Sequence, residues 1–341
     1  MKKTRLAIVL AIVTAMVLSL AACGGGSSSA PSGGDSGSAS GGVSMMLIMG
    51  QRDEFLGTLE SGARDKAAEL GVALDVQDAN QDSNKMQSFV ENAKSAGCKA
   101  VIVNLVDPET AQTIVEAAGD MKVVFVNRIP TDTSVLNENA IYVGSNENDS
   151  GRFQGEALVK YFNDKGQKDV SYILLKGIEG HTSTALRTDS VLKALTDGGL
   201  NATQACEPQA AKYERAEAMN RVDTILGDSK VKFDCIIANN DEMALGAIEA
   251  MESKGLDPAS VPIVGIDATE AGRNAIKDGK LYMSVFQNGP GQGAASVQAA
   301  LNMINGTAIT EGTDYSVDAE NANILWVPFE PVTADNVADY D

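Results

Sequence analysis

The chain has 341 residues, of which 44% are hydrophobic and only 5% aromatic, and its formal net charge at pH 7 is −19. That acidity argues against nucleic acid as a partner, because phosphate binding needs a basic surface. One histidine and four cysteines exclude a multi-histidine metal centre and a disulfide-dense scaffold.

The amino terminus is the first element. Met1-Lys2-Lys3-Thr4-Arg5 is a basic n-region and Leu6 to Leu20 an apolar stretch too short for a comfortable membrane span, so residues 1–22 read as a secretory signal. Leu20-Ala21-Ala22-Cys23 closes it in the pattern of a bacterial lipobox, in which Cys23 would carry lipid. Gly24 to Gly42 is almost entirely Gly and Ser and behaves as a flexible coil. Residues 23–42 are therefore expected to tether a soluble body to the outer face of the cytoplasmic membrane, touching it through the lipid alone.

Strands and helices then alternate. Val43 to Met49 precedes amphipathic Leu56 to Leu70, Ala73 to Asp78 precedes Lys85 to Ala96, and Ala100 to Asn104 precedes Thr110 to Ala118. Val123 to Asn127 completes a first set, and Pro130 to Asn139 breaks the periodicity with turn residues. A second set runs through helix Gly151 to Phe162, strand Val170 to Leu175, helices Thr184 to Thr196 and Ala211 to Leu226, and strand Cys235 to Ala238. Helix Glu242 to Lys254, strand Ile263 to Asp267, helix Glu270 to Lys277 and strand Tyr282 to Phe286 end it. Val- and Ile-rich strands separated by helical stretches predict an α/β protein with two similar doubly wound parallel-sheet domains.

Apolar runs repeatedly stop on side chains that hydrogen-bond hydroxyls: Asp53, Asn104, Asn127, Asn239-Asn240, Asp267 and Gln287. In an open parallel sheet such ends converge on one crevice, which suits a small polyhydroxylated ligand. An ionised Asp53 offers acceptors and Phe55 an apolar face for C–H groups, while the alternatives are a helix cap and a core residue. Asn104 and Asn240 could accept and donate to neighbouring hydroxyls, or form turns and caps. His181, the lone histidine, and Arg187 fit hydrogen bonding; Ser183 two residues from His181 does not make a triad, which is recognised by geometry. Cys98, Cys206 and Cys235 fit no zinc spacing and read as small buried residues, with one disulfide left open.

These segments together resemble the type I periplasmic binding proteins of ABC sugar transporters, in particular their glucose/galactose-binding branch, from about residue 45 to 341. The stretches that carry the resemblance are Val103 to Pro108, Tyr142-Val143-Gly144, Leu174 through His181 to Arg187, Ile237 to Ala244, and Gly265 to Ala268. The resemblance implies that Asp53, Asn104, His181, Arg187, Asn240 and Asp267 bond a sugar, that Phe55 forms one stacking wall, and that Asn127 leaves the set. Three positions depart from the family pattern: Tyr213 stands where Trp is usual, Ser183 where Asp is, and Gln287 where Asn is. The family's calcium loop would correspond to Asn163, Gln167 and Asp169 with the distant Asp234, but Lys165 or Lys168 falls among the ligand positions and disfavours a hard divalent ion. No cofactor is expected.

By the same resemblance a three-segment hinge would join a lobe of residues 43–129 plus 288–318 to one of 130–287 plus 319–341. The implied function is capture of a monosaccharide, glucose or galactose foremost and a pentose or another hexose otherwise, by a monomer that delivers it to the membrane permease of an ABC transporter. The same body would serve a chemoreceptor or sensor kinase. A glycosidase would need two acids facing one bond, so no enzyme is expected.

Overall fold

The computed structural model describes residues 42–340. The expected signal, Cys23 and the tether up to residue 41 lie outside the described residues.

The first half comprises β1 (Ser44–Met49), α1 (Glu54–Leu70), β2 (Ala73–Asp78), α2 (Ser83–Ser95), β3 (Ala100–Val103), α3 (Ala111–Ala118), β4 (Lys122–Val126) and β5 (Ala140–Gly144). The chain continues through α4 (Glu147–Asp164), β6 (Asp169–Lys176), α5 (Thr182–Asp197), β7 (Asn201–Gln204), β8 (Gln209–Ala210), α6 (Arg215–Gly227), β9 (Cys235–Ala238) and α7 (Asp241–Ser253). Then follow β10 (Ile263–Val264), α8 (Glu270–Lys277), β11 (Met283–Gln287), α9 (Gly289–Asn305), β12 (Ser316–Val317), β13 (Ile324–Trp326) and β14 (Phe329–Thr333).

Two sheets result, one per lobe. The first runs β12-β13-β5-β4-β3-β1-β2 and the second β14-β11-β10-β9-β6-β7, with β8 also on β6. Pairing is parallel except at β12/β13 and β11/β14. Helices cover both faces, so the inner strands are apolar on both sides: Leu47, Ile48, Val101, Ile102, Ile236 and Ile237 are fully buried. This is the two-lobed, doubly wound α/β architecture expected from the strand and helix order.

The lobe boundaries require correction. β5 hydrogen-bonds β4 and β13 hydrogen-bonds β5, so both belong to the first sheet. The chain therefore crosses after Gly144, after Gln287 and after Trp326, not at 129 and 318. The reason is strand completion: Val123 to Val126 needs a partner on its outer edge, and Ala140 to Val143 supplies it residue for residue. β14 returns antiparallel to β11, so the carboxyl-terminal segment rejoins the second lobe.

Many helices begin on an Asp, Asn or Thr that directly follows a strand or its loop. Asp53, Asp82, Asn146, Asn240, Thr269 and Asn288 each accept from a backbone N–H of the first turn. Among the described residues no helix is long and apolar enough to cross a membrane. Cys98, Cys206 and Cys235 are all free.

Candidate functional site

A cleft lined by both lobes lies between the carboxyl ends of the two sheets. From the first lobe come Gln51, Asp53, Phe55 and Leu56 after β1, and Asn127 and Arg128 after β4. The second contributes Glu147, Ser183, Arg187, Tyr213, Asn240, Asp267 and Gln287.

Asp53 lines the cavity and also caps a helix. Its Oδ1 accepts from Leu56 N at 2.7 Å, capping α1, and its Oδ2 accepts from Gln51 Nε2 at 3.0 Å. Asn240 is similar: Oδ1 accepts from Met243 N at 3.0 Å, which leaves its amide donors for the cavity. A capping side chain is immobilised by its helix, so it presents its remaining polar atoms in one orientation.

Arg187 is the electrostatic centre. Its Nε and Nη2 donate to the two carboxylate oxygens of Glu147 at 2.7 and 3.0 Å, and its Nη1 donates to Asn239 O at 2.7 Å. Burial opposes the charge, but Glu147 holds the guanidinium protonated well above the usual range. Nη2 also donates to Gln287 Oε1 at 3.3 Å. That contact fixes the Gln287 amide so that its buried Nε2 has no partner within the described residues. A buried N–H without a partner is costly, and Gln287 lines the cavity, so a ligand oxygen is its natural acceptor.

Asp267 sits in a strained turn. Its φ is +116° and that of Ala268 is +46°, conformations that L-residues adopt only when the surroundings enforce them. Asp241 enforces them here: its Oδ1 accepts from Ser284 Oγ at 2.6 Å and its Oδ2 from Thr269 N at 3.0 Å, while Ala268 N donates to Ser284 Oγ at 3.0 Å. Burial pushes the Asp267 carboxyl well above its ordinary value, against the pull of Arg187 at 4.0 Å. Burial likewise raises Asp241 to about 7.

Tyr213 closes the opposite wall. Its hydroxyl lies 2.8 Å from Thr184 Oγ1 and 3.1 Å from Ser183 Oγ, and its ring lies where a side chain on Gly177 would otherwise be. Ser183 therefore lines the cavity and at the same time anchors the wall.

Two expected residues are placed elsewhere. Asn104 is fully buried beneath the cavity floor: its Oδ1 accepts from Gly50 N at 3.3 Å, and its Nδ2 donates to Val126 O at 3.3 Å and Asn127 Oδ1 at 3.2 Å. Central β3 ends between the loops after β1 and β4, and those loops consume its amide. Asn127, which the resemblance set aside, takes the position on the lining instead. His181 opens α5 but does not line the cavity; it packs across the cleft beside Val106, Asp107 and Arg128. Its Nδ1 is buried without a partner among the described residues. Burial, then Arg128, lower it to about 4.

Sequence reasoning missed Gln51, Leu56, Arg128 and Glu147. Arg128 lies two residues after the end of β4, and its Nη1 donates to Leu105 O at 2.8 Å. Glu147 follows β5, a strand not anticipated as such. Strand-end position was the available signal for both.

The calcium-loop residues do not assemble a cation site. Lys168 Nζ donates to Asn163 Oδ1 at 2.6 Å, and Gln167 Nε2 donates to Asp234 Oδ1 at 3.0 Å. Asp234 Oδ2 accepts from Ser171 N at 2.7 Å, and Asp169 Oδ1 accepts from Asn201 Nδ2 at 2.9 Å. An ammonium and two amides occupy the oxygens a hard ion would need.

Comparison with known proteins gives the family and the fold. A model of the periplasmic binding protein domain matches residues 45–308. A putative rhizopine-binding protein of Rhizobium meliloti is 34% identical over 291 residues, 84% of this chain and 89% of that one. A D-galactose/methyl-galactoside binding periplasmic protein of Haemophilus influenzae is 32% identical over 81% of this chain and 85% of its own length. Among solved structures, an ABC transporter solute binding protein from Bacillus halodurans with bound myo-inositol superposes with a TM-score of 0.75 at 32% identity, covering 89% of this chain and 98% of that one.

Proposed function

The chain belongs to the periplasmic binding protein family, and from that premise we propose that its interlobe cavity captures one monosaccharide-sized cyclic polyol for delivery to the membrane permease of an ABC transporter. The observation that carries the reading is the ring of fixed donors and acceptors that strand ends of both lobes and the helix α5 present to one cavity. Asp53 and Asn127 come from one side and Arg187, Asn240, Asp267 and Gln287 from the other. A ligand bonded to both sets ties the lobes together, and hinge closure is the form a permease recognises. Phe55 and Tyr213 offer apolar surface to ring C–H groups. Attachment to the membrane through Cys23 is part of the same proposal.

An aldohexose, glucose or galactose, is one occupant that this set suits, and the galactoside-binding relative supports it. A cyclitol is the second reading. It is favoured by the myo-inositol bound in the Bacillus halodurans structure and by Ser183, which offers a hydroxyl where the glucose/galactose branch has a carboxylate. Calorimetric titration against D-glucose, D-galactose, D-allose, D-ribose and myo-inositol separates the two. Tightest binding of glucose or galactose supports the aldohexose, tightest binding of myo-inositol supports the cyclitol, and silence across the panel overturns the proposal.

A further inference from the structure

Outside the cavity, a backbone-to-carboxylate hydrogen bond joins the lobes without a ligand's help. Glu54 opens α1 in the first lobe, and its Oε1 accepts from Ala271 N at 3.3 Å in the first turn of α8, across a sequence separation of 217 residues. The first-turn amides of a helix have no intrahelical acceptor. Thr269 Oγ1 already serves Gly272 N at 3.1 Å, and Glu54 serves the neighbouring amide. The carboxylate also lies within Coulombic range of Arg215, which opens α6 of the second lobe and is itself paired with Glu242 at 2.9 Å. A first-lobe anion thus meets the amino end of a second-lobe helix, with Arg215, its carboxylate partners Glu242 and Glu249, and Asp241 nearby. Neither Glu54, Ala271 nor Arg215 lines the cavity.

We propose that Glu54 is an interlobe latch, a positioning residue that holds the shut form together and slows ligand departure without touching the ligand. The two partners sit on separate lobes, so opening the cleft must break the contact and hand both groups to water. That exchange with solvent keeps the effect modest, about threefold to tenfold in dissociation rate, because a charge-assisted bond is strong but this carboxylate is only half-buried. The latch acts on dissociation only if the proposed polyol capture holds, so one arm of the test uses no ligand.

The variants are Glu54→Asp, Glu54→Gln and Glu54→Ala in the full chain. Asp keeps an acid in the first turn of α1 but is one methylene too short to reach Ala271, which separates a latch from simple support of α1. Without ligand, hydrogen exchange of the segment 268–275 should be faster in the Asp and Ala variants than in the parent, although residue 54 lies in the other lobe. Stopped-flow dissociation of D-galactose or myo-inositol, followed by the fluorescence of Trp326, should be about threefold to tenfold faster in both, with Gln intermediate. Association should be unchanged, and salt should speed dissociation from the parent more than from the Ala variant. Parent-like exchange in all variants, dissociation within twofold of the parent, or an Asp variant that behaves as the parent would each overturn the latch. If neither compound binds the parent, the capture proposal fails and the exchange experiment alone decides the latch.

Discussion

Replacing Gly177 by Ala should disable the site without altering any polar group in it. An added Cβ would lie 2.0 Å from Tyr213 Cζ and 2.4 Å from both Cε1 and the hydroxyl oxygen, where carbon contacts settle at about 3.5–4.0 Å. The ring must therefore retreat by about 1.5 Å. It is poorly placed to do so: its backbone has φ +66°, following Lys212 at +57°, and its hydroxyl is held by Thr184 and Ser183. Overpacking costs about 1–3 kcal/mol and two disturbed hydrogen bonds about 1 kcal/mol each, so a destabilisation of about 3–5 kcal/mol is expected. A displaced wall should also cost about tenfold to a hundredfold in affinity, equivalent to about 1.4–2.8 kcal/mol. Gly177 itself lies outside the left-handed region, so the effect is contact and not backbone strain. The assay is thermal unfolding and calorimetric titration on the same samples. Gly57→Ala serves as control, since that position in α1 has nothing within 4 Å and should gain about 0.5–1 kcal/mol. An unchanged midpoint together with affinity within twofold of the parent would refute the argument.

Three further outcomes follow from the site. Glu147→Gln leaves the Arg187 guanidinium buried with half of its carboxylate partner, so a loss of about 3–5 kcal/mol should lower the midpoint by on the order of 10 °C; an unmoved midpoint would mean that Asn239 O and Gln287 suffice. His181 is lowered to about 4 in the fold from about 6.5 unfolded, so its contribution is complete above the unfolded value and is lost as pH falls toward 4. His181→Gln should flatten that acid-side loss relative to the parent, with the opposite slopes of Asp241 and Asp267 common to both; parallel curves would sink this assignment. Chelation should leave midpoint and ligand affinity unchanged, because Lys168 and Gln167 already hold Asn163 and Asp234; a fall of several degrees reversed by micromolar calcium would contradict it.

The legible part of this molecule was its strand ends. Asp53, Asn240, Asp267 and Gln287 lie on the cavity because each follows or ends a strand and is held there by a cap, a hydrogen bond or an enforced turn, whereas Arg187 reaches it from within α5 through its ion pair with Glu147. The illegible part has two physical causes. Pro130 to Asn139 carries turn composition, which disguised the start of β5 and with it Glu147, the counter-charge on which Arg187 depends. Asn104 obeys the strand-end rule yet ends a central strand, where neighbouring loops close over it, and pattern alone does not show which amides the backbone will consume. His181 illustrates a third limit: a side chain that reaches across a cleft is placed by the other lobe, whose position no local spacing encodes.

The three crossings between lobes are short: Ser145 and Asn146, then Asn288, then Val327 and Pro328. Val327 N donates to Gly144 O at 2.7 Å, and Gln292 Nε2 donates to Ser145 Oγ at 2.9 Å while its Oε1 accepts from Asn127 Nδ2 at 3.3 Å. Three short crossings held side by side by these bonds favour rotation of the lobes about the bridge over sliding or twisting, as a flexure does in a balance. A membrane complex that meets this protein would then have a single angle to measure, and the cavity floor is fastened to the part that sets it.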